Sequence, residues 1–472
     1  MASKGAIYLV THRDRRDPSP NPPYGILYIG QALRQAGYAV RAFHLFGDQD
    51  QLLLDAVNEQ KPLFVGFSNF LSHLLIHQIR LSQKVHALHL PTVWGGIYAT
   101  VCPDPVLAED YVDYLVQGEG EQVAPLLADA IANGVPPEGI PGVGFKRNGE
   151  RVLASEQPVP IRDLDQFRPA WDLIDLESYA IPMPGKEGRF FNFFVSRGCP
   201  CRCSFCYNLS DPARSQWRIH SPDYCREELG YVHRRLGLKY VHLMGDNPFI
   251  YPQPGQAVAA AVEELGLSWS SVLQVQTARD EFVQWLKQSK CFAVGIGVES
   301  GSDRMLKLLH KGFTGEQVRQ CMARLAETEV ELWPGWIFFI PDETEADRQL
   351  SYTLMGELLR LNPRTHVGVS WFKPYPQTPI WQRCLELGWQ PPRNSREWAE
   401  RLLEPEYAPF SAWSPARQRR LAKVLPVLYR QIPNDYGPLI KRLLRLRARE
   451  GSFRLPLEEI AGFGRKLWRK LR

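Results

Sequence analysis

Short apolar runs alternate with amphipathic stretches from the start of the chain. Ala6–Val10 reads as a strand, Ile26–Ala36 as a helix ended by Gly37, and Ala39–His44 as a second strand. Leu52–Glu59 predicts a helix, Leu63–Ser68 a third strand and Leu74–Leu88 a longer helix. Thr92–Trp94 and Tyr114–Val116 predict short strands, and Glu121–Ala132 closes the unit. Strands alternating with helices imply a parallel sheet covered on both faces, a doubly wound (Rossmann-like) domain over residues 1–140, with its ligand crevice at the carboxyl ends of the strands.

From about residue 135 to 188, repeated prolines break any long element. This predicts a small β excursion and then a linker, 141–188. A second alternation follows. Asn192–Val195, Tyr240–Met244, Val272–Gln276, Ala293–Val298, Leu332–Ile340 and Val367–Trp371 read as strands, with helices such as Gln256–Leu265 and Glu345–Arg360 between them. An α/β core over 189–385 with a curved, barrel-like sheet is expected. The remainder, 386–472, turns helical and basic. It has eleven Lys or Arg and three Glu over 441–472, with Leu443, Leu444, Trp468 and Leu471 among them. That composition suits either a solvated helix or a peripheral contact with an anionic membrane.

Composition narrows the class. Hydrophobic residues make up 44% and charged residues 23%, ordinary for a globular protein, and a net charge of +5 gives no argument for nucleic acid. No stretch is long and apolar enough to span a membrane, and the N-terminus lacks the pattern of a signal peptide, so a cytoplasmic location is expected. Four of the nine cysteines crowd into Cys199–Cys206, which in a reducing compartment points to metal rather than disulfides.

Within Ser196-Arg197-Gly198-Cys199-Pro200-Cys201-Arg202-Cys203-Ser204-Phe205-Cys206, the residues Cys199, Cys203 and Cys206 have the spacing C-x3-C-x2-C. Three thiolates can hold three irons of a cubane and leave the fourth open, as an open position on zinc marks a catalytic site. A structural zinc loop using Cys201 as fourth thiolate is the competing reading. Zinc sites usually pair two knuckles far apart in sequence, and no second knuckle exists here.

The loop resembles the signature of the radical S-adenosylmethionine enzymes. The resemblance implies a [4Fe-4S] cluster held by Cys199, Cys203 and Cys206, with S-adenosylmethionine chelating the open iron and cleaved to a 5′-deoxyadenosyl radical. Phe205 would pack on the adenine. Gly245-Asp246-Asn247-Pro248 stands where the family contacts the amino group, which gives roles to Asp246 and Asn247. Gly295-Ile296-Gly297-Val298-Glu299-Ser300-Gly301-Ser302 resembles the ribose-contacting strand, with Glu299 and Ser300 as acceptors, and Lys307-Leu308-Leu309-His310-Lys311-Gly312 continues the likeness. Ser302 also reads as a helix cap. Gln274 and Gln276, aimed at one face by strand alternation, either orient ligand or form a solvated face. Gly335-Trp336-Ile337-Phe338-Phe339-Ile340-Pro341-Asp342 and Pro374-Tyr375-Pro376-Gln377-Thr378-Pro379 resemble two further family turns, with Phe339, Asp342 and Gln377 in place of glycines.

A doubly wound domain before such a core resembles the cobalamin-binding class of this family. The resemblance rests on Pro22-Pro23-Tyr24-Gly25-Ile26-Leu27-Tyr28-Ile29-Gly30, Gly66-Phe67-Ser68-Asn69, Trp94-Gly95-Gly96-Ile97 and Gly118-Glu119-Gly120-Glu121. It implies cobalamin at Ser68, Asn69, Gly95, Gly96, Gly118 and Glu119. No Asp-x-His-x-x-Gly is present, and His12, His44 and His73 are not assigned as cobalt ligands. The implied activity is methyl transfer to an unactivated carbon of a small molecule, with an external electron donor of flavodoxin or ferredoxin type. The alternatives are a cyclisation or rearrangement on the same core, or a metal-stapled scaffold without activity.

Overall fold

The computed structural model describes residues 3–154, 156–362, 364–403 and 409–410. Strands β1 (Ala6–His12), β2 (Ala39–Leu45), β3 (Phe64–Ser68), β4 (Thr92–Gly95), β5 (Tyr114–Val116), β6 (Val143–Arg147) and β7 (Glu150–Leu153) form one sheet in the order β2-β1-β3-β4-β5-β6-β7. The first five are mutually parallel, whereas β6 and β7 extend the edge antiparallel. The β excursion expected after residue 135 therefore belongs to this sheet. Strand order reverses between β1 and β3, which opens the crevice of a doubly wound fold at their carboxyl ends. β1 runs past Val10 because Thr11 and His12, polar as they are, are buried.

The second sheet is built from β8 (Ile181–Pro182), β9 (Arg189–Arg197), β10 (Arg218–Ile219), β11 (Leu238–Gly245), β12 (Ser268–Leu273), β13 (Cys291–Glu299), β14 (Glu331–Phe338) and β15 (Gly368–Trp371). β9 and β11 to β15 run parallel in that order, the six strands of a half-barrel, and β8 and β10 flank β9 antiparallel. Alternation explains the layering. On β13, Val294, Ile296 and Val298 are buried in the core with Leu325, Met355 and Leu358 of the covering helices, and Gly295, Gly297 and Glu299 take the other face. Four of the covering helices begin where a side chain satisfies a first-turn amide: Ser221, Ser302, Thr314 and Thr344 each accept from the amide three residues on.

One expectation is corrected. The strand placed over Val272–Gln276 lies earlier. Trp269, Ser271 and Leu273 form its buried face, Ser270 bonds His242 across to β11 at 2.9 Å, and residues 275–277 turn into a short 3-10 helix. Gln274 and Gln276 thus follow the strand instead of alternating along it.

The two sheets share their packing. The helix Tyr24–Gln35 sends Ile26 and Leu33 into the core of the first sheet. Its other face sends Tyr24, Leu27 and Tyr28 into the half-barrel's core beside Phe191, Phe193 and Tyr224. The Tyr24 hydroxyl donates to the Asn192 carbonyl at 2.7 Å. At the far end, Trp398 and Ala399 of the helix Ser395–Leu403 join the core of the first sheet. The basic segment 441–472 lies outside the described residues. No described helix is long and apolar enough to cross a membrane.

Candidate functional site

The cysteine loop leaves β9 at its carboxyl end and is pinned from several sides. Gly198 has φ +79°, and a Cβ there would stand 2.1 Å from the Gln216 carbonyl, so only glycine fits. The Gly198 amide donates to Asp246 Oδ2 at 2.7 Å and the Cys199 amide to the Arg214 carbonyl at 2.8 Å. Ser204 donates through its amide to Leu309 and through its hydroxyl to Leu308, and its carbonyl accepts from the Ile380 amide. All nine cysteines are free thiols. Burial raises Cys203 and pushes Cys206 up to about 11; Cys199 is raised first by its hydrogen bond with Cys201 and then by burial. The same bond draws Cys201 down to about 6, helped by the Gln274 amide, whose Nε2 lies 2.8 Å from Cys201 Sγ. Iron would reverse the preference of the three half-buried thiols, since a coordinated thiol is deprotonated by the cation's charge. Among the described residues no three His, Cys, Asp or Glu side chains close around a single ion. A cubane asks for a different geometry, each thiolate meeting its own iron.

The neighbouring rim residues divide into two groups. Asn247 is buried, with Nδ2 3.8 Å from Cys199 Sγ and Oδ1 lacking any partner, an acceptor held beside the cysteines. Glu299, at the end of β13, has φ +70° and lies 3.3 Å from Lys311 Nζ. Burial raises its carboxyl, against the pull of Lys311. Phe205 is half-buried, with Lys311 Nζ 5.8 Å from its ring centre. Lys311, given no role by the sequence, thus sits between the Glu299 carboxylate and the cysteine loop. Its burial is opposed by Glu299 and by the thiols of Cys203 and Cys201, which hold it protonated.

The second group is occupied elsewhere. Asp246 holds the Gly198 amide. The Ser300 side chain is fully buried, its hydroxyl shared with Ser351 and the Ser302 amide. Gln276 is exposed and donates to the Lys311 and Gly312 carbonyls, tying two loops together.

At the first sheet, the crevice is walled by backbone and by buried polar groups. Gly96 (φ +88°) would set a Cβ 2.6 Å from the Asn69 carbonyl, and Gly118 (φ +70°) donates its amide to Thr100 Oγ1 at 2.9 Å. Gly95 receives the Asn69 amide, and the Ser68 carbonyl accepts from both Thr11 and Gln78. Three buried side chains here retain unpaired atoms: both nitrogens of His12, Asn69 Oδ1 and Gln78 Oε1. Burial, with His77 beside it, brings His12 down to about 4, so it is neutral. His44 is hydrogen-bonded and stacked on Tyr179, and His73 is bonded to Asp14. Neutral orphaned amide and imidazole groups beside close-approach glycines fit a large, amide-fringed, uncharged macrocycle.

Glu119 is placed differently from the other residues of this rim. Its carboxylate accepts from Arg197 at 3.2 Å, from Arg218 at 2.8 Å and from the Ile161 amide at 2.8 Å, so it faces the half-barrel. Burial alone would raise its carboxyl, but Arg197 and Arg218 hold it below the usual range.

Comparison with known proteins agrees with this division. The Radical SAM superfamily model matches residues 193–355 and the B12 binding domain model matches residues 17–128. An uncharacterized methyltransferase of Pyrococcus horikoshii is 27% identical over 366 residues, covering 75% of this chain and 77% of its own. The anaerobic magnesium-protoporphyrin IX monomethyl ester cyclase of Synechocystis is 26% identical, covering 74% and 72%. The structure of the radical S-adenosylmethionine methyltransferase TsrM from Kitasatospora setae, with cobalamin and a [4Fe-4S] cluster bound, superposes with a TM-score of 0.65 at 20% identity, over 82% of this chain and 75% of that one; this is a likeness of fold.

Proposed function

The chain belongs to the cobalamin-binding radical S-adenosylmethionine enzymes, and from that premise we propose that it transfers a methyl group to an unactivated carbon of a small organic substrate. Its cofactors are a [4Fe-4S] cluster, S-adenosylmethionine and cobalamin. When bound, they supply one-electron cleavage of a sulfonium and the carriage of a methyl group.

The observation that carries the reading is the closeness of the two rims: Arg197, two positions before Cys199, reaches Glu119 at the carboxyl end of β5 at 3.2 Å. A radical centre and a methyl carrier serve one carbon only if both are held within reach of it. In this reading Cys199, Cys203 and Cys206 hold the cluster. Asn247 Oδ1 accepts from the ammonium group of S-adenosylmethionine, and Glu299 accepts from its ribose while Lys311 balances the charge. Phe205 offers its ring to the adenine. Ser68, Asn69, Gly95, Gly96 and Gly118 would hold the cobalamin. An external one-electron donor of flavodoxin or ferredoxin type completes the cycle.

A second reading, cyclisation or rearrangement without net methylation, draws support from the cyclases among the relatives. Anaerobic incubation with S-adenosylmethionine, cobalamin and candidate substrates separates the two. S-adenosylhomocysteine, 5′-deoxyadenosine and a product heavier by one methyl group are expected. Turnover that proceeds without cobalamin, or a product without added methyl, overturns the methyl-transfer reading.

A further inference from the structure

The segment Gly118-Glu119-Gly120-Glu121 presents its backbone to the crevice of the first sheet and its carboxylates to the half-barrel. Arg197 Nη1 lies 3.2 Å from Glu119, and Arg197 Nη2 lies 2.7 Å from Glu121. Arg218 meets the other oxygen of Glu119 at 2.8 Å and also donates to the Ile161 and Ala213 carbonyls. The four side chains are 15% exposed or less, two positive and two negative, so charge is balanced within the group. The Tyr28 ring lies 4.9 Å from the Arg197 guanidinium, which shields it from water.

The wiring on each side is short. Arg197 leads directly into Gly198 and Cys199, and Arg218 lies on β10, which pairs with the end of β9 at Arg197 and Ser196. On the other side, the Gly118 amide is fixed to Thr100 and a Cβ on Gly120 would stand 3.0 Å from Ile29, so the segment has little room to shift without moving Glu119. Buried, mutually satisfied charges behave as a rigid unit, because separating them in a low dielectric leaves each uncompensated.

We infer that Glu119, Glu121, Arg197 and Arg218 are positioning residues that couple occupancy of the corrin crevice to the cysteine loop, so that each cofactor is bound more tightly when the other is in place. The inference rests on the proposed cobalamin crevice and adds an energetic link between two sites otherwise only adjacent. Linkage makes the coupling reciprocal: the factor by which cobalamin favours cluster retention equals the factor by which the cluster favours cobalamin.

The test measures cobalamin affinity by absorbance titration in the full-length protein, with and without the reconstituted cluster. For the wild type the cluster-loaded form is expected to bind cobalamin about fivefold or more tightly than the cluster-free form. A single Glu119→Gln change strands Arg218 and can unfold the chain, so the decisive variant is Glu119→Gln with Arg218→Gln, which removes both charges together and leaves Arg197 paired with Glu121. It should keep its iron and sulfide content and lose most of the difference in cobalamin affinity between the two forms. Arg197→Lys alone, which keeps the charge but cannot bridge two carboxylates, should keep part of the difference. Wild-type affinity that is indifferent to the cluster, or full coupling in the double variant, overturns the inference. A wild type that binds no cobalamin in either form instead removes the crevice assignment beneath it.

Discussion

The two rims of this molecule are built on opposite principles. Both lie at the carboxyl ends of parallel strands, but the half-barrel's rim uses side chains to make bonds, whereas the first sheet's rim uses backbone, glycines and neutral buried polar atoms to make a surface. At the cysteine loop, the proposed reading gives three thiols, a carboxylate and a lysine each a particular chemical task. At the crevice, the work is spread over several backbone and neutral side-chain groups. A rim that bonds its ligand should therefore fail through one atom, and a rim that cradles it should fail gradually.

The largest effect tests the first half of that contrast. Cys199→Ala, Cys203→Ala or Cys206→Ala should each leave protein without a full complement of iron and sulfide, and without 5′-deoxyadenosine above the enzyme-free control by mass spectrometry. Cys201→Ala, by contrast, should assemble the cluster. If Cys201→Ala loses it as completely as the others, the loop uses a fourth thiolate and the open iron is lost.

Next comes the ion pair on the same rim. Lys311→Met strands the Glu299 carboxylate, which is largely buried, and should cost about 3–5 kcal/mol in chemical denaturation. Adding Glu299→Gln should recover most of that stability but not S-adenosylmethionine affinity. Recovery of both would leave the pair with a structural role only.

The crevice should respond to pH instead. His12 is held at about 4, below its ordinary 6.5, by burial. The unfolded chain therefore binds the extra proton first as pH falls, and stability present above 6.5 is lost on the way down to 4. Between pH 7 and pH 5 this one group removes about 2 kcal/mol. A denaturation series in which His12→Phe has the same pH slope as the wild type would show that the ring is not buried neutral. The smallest effect is expected at Gly96→Ala, where a left-handed φ and the Asn69 carbonyl oppose a Cβ. A strain of roughly 1–2 kcal/mol should weaken cobalamin about tenfold and leave cluster assembly intact.

The contrast also explains what the sequence could reveal. Three cysteines at fixed spacing are legible because few residue types do the job proposed for them; continuous apolar runs marked β1 and β3, buried on both faces, and alternation marked strands such as β13 of the second sheet. Gln276 was misplaced because polar Ser268, Ser270 and Ser271 hid the start of β12. Thr11 and His12 read as loop because burial of polar residues leaves no mark in a pattern. The partner of Glu119 is 78 positions away, and the choice of Lys311 as partner of Glu299 depends on how two turns close. Phe339, Asp342 and Gln377 keep the left-handed backbone that glycine would adopt more easily. What the replacements add, such as the bonds from Arg383 to Asp342 and from Gln377 to the Val101 carbonyl, appears only in three dimensions.

The helix Tyr24–Gln35 has a consequence for how the chain is made. Tyr24 donates to a carbonyl 168 residues downstream, and its aromatic neighbours have no cover until those later strands exist. As the polypeptide emerges from the ribosome, this helix waits with a bare apolar flank, which makes the nascent first half a client for holding chaperones. Expressing either half alone should give aggregates, not two soluble modules.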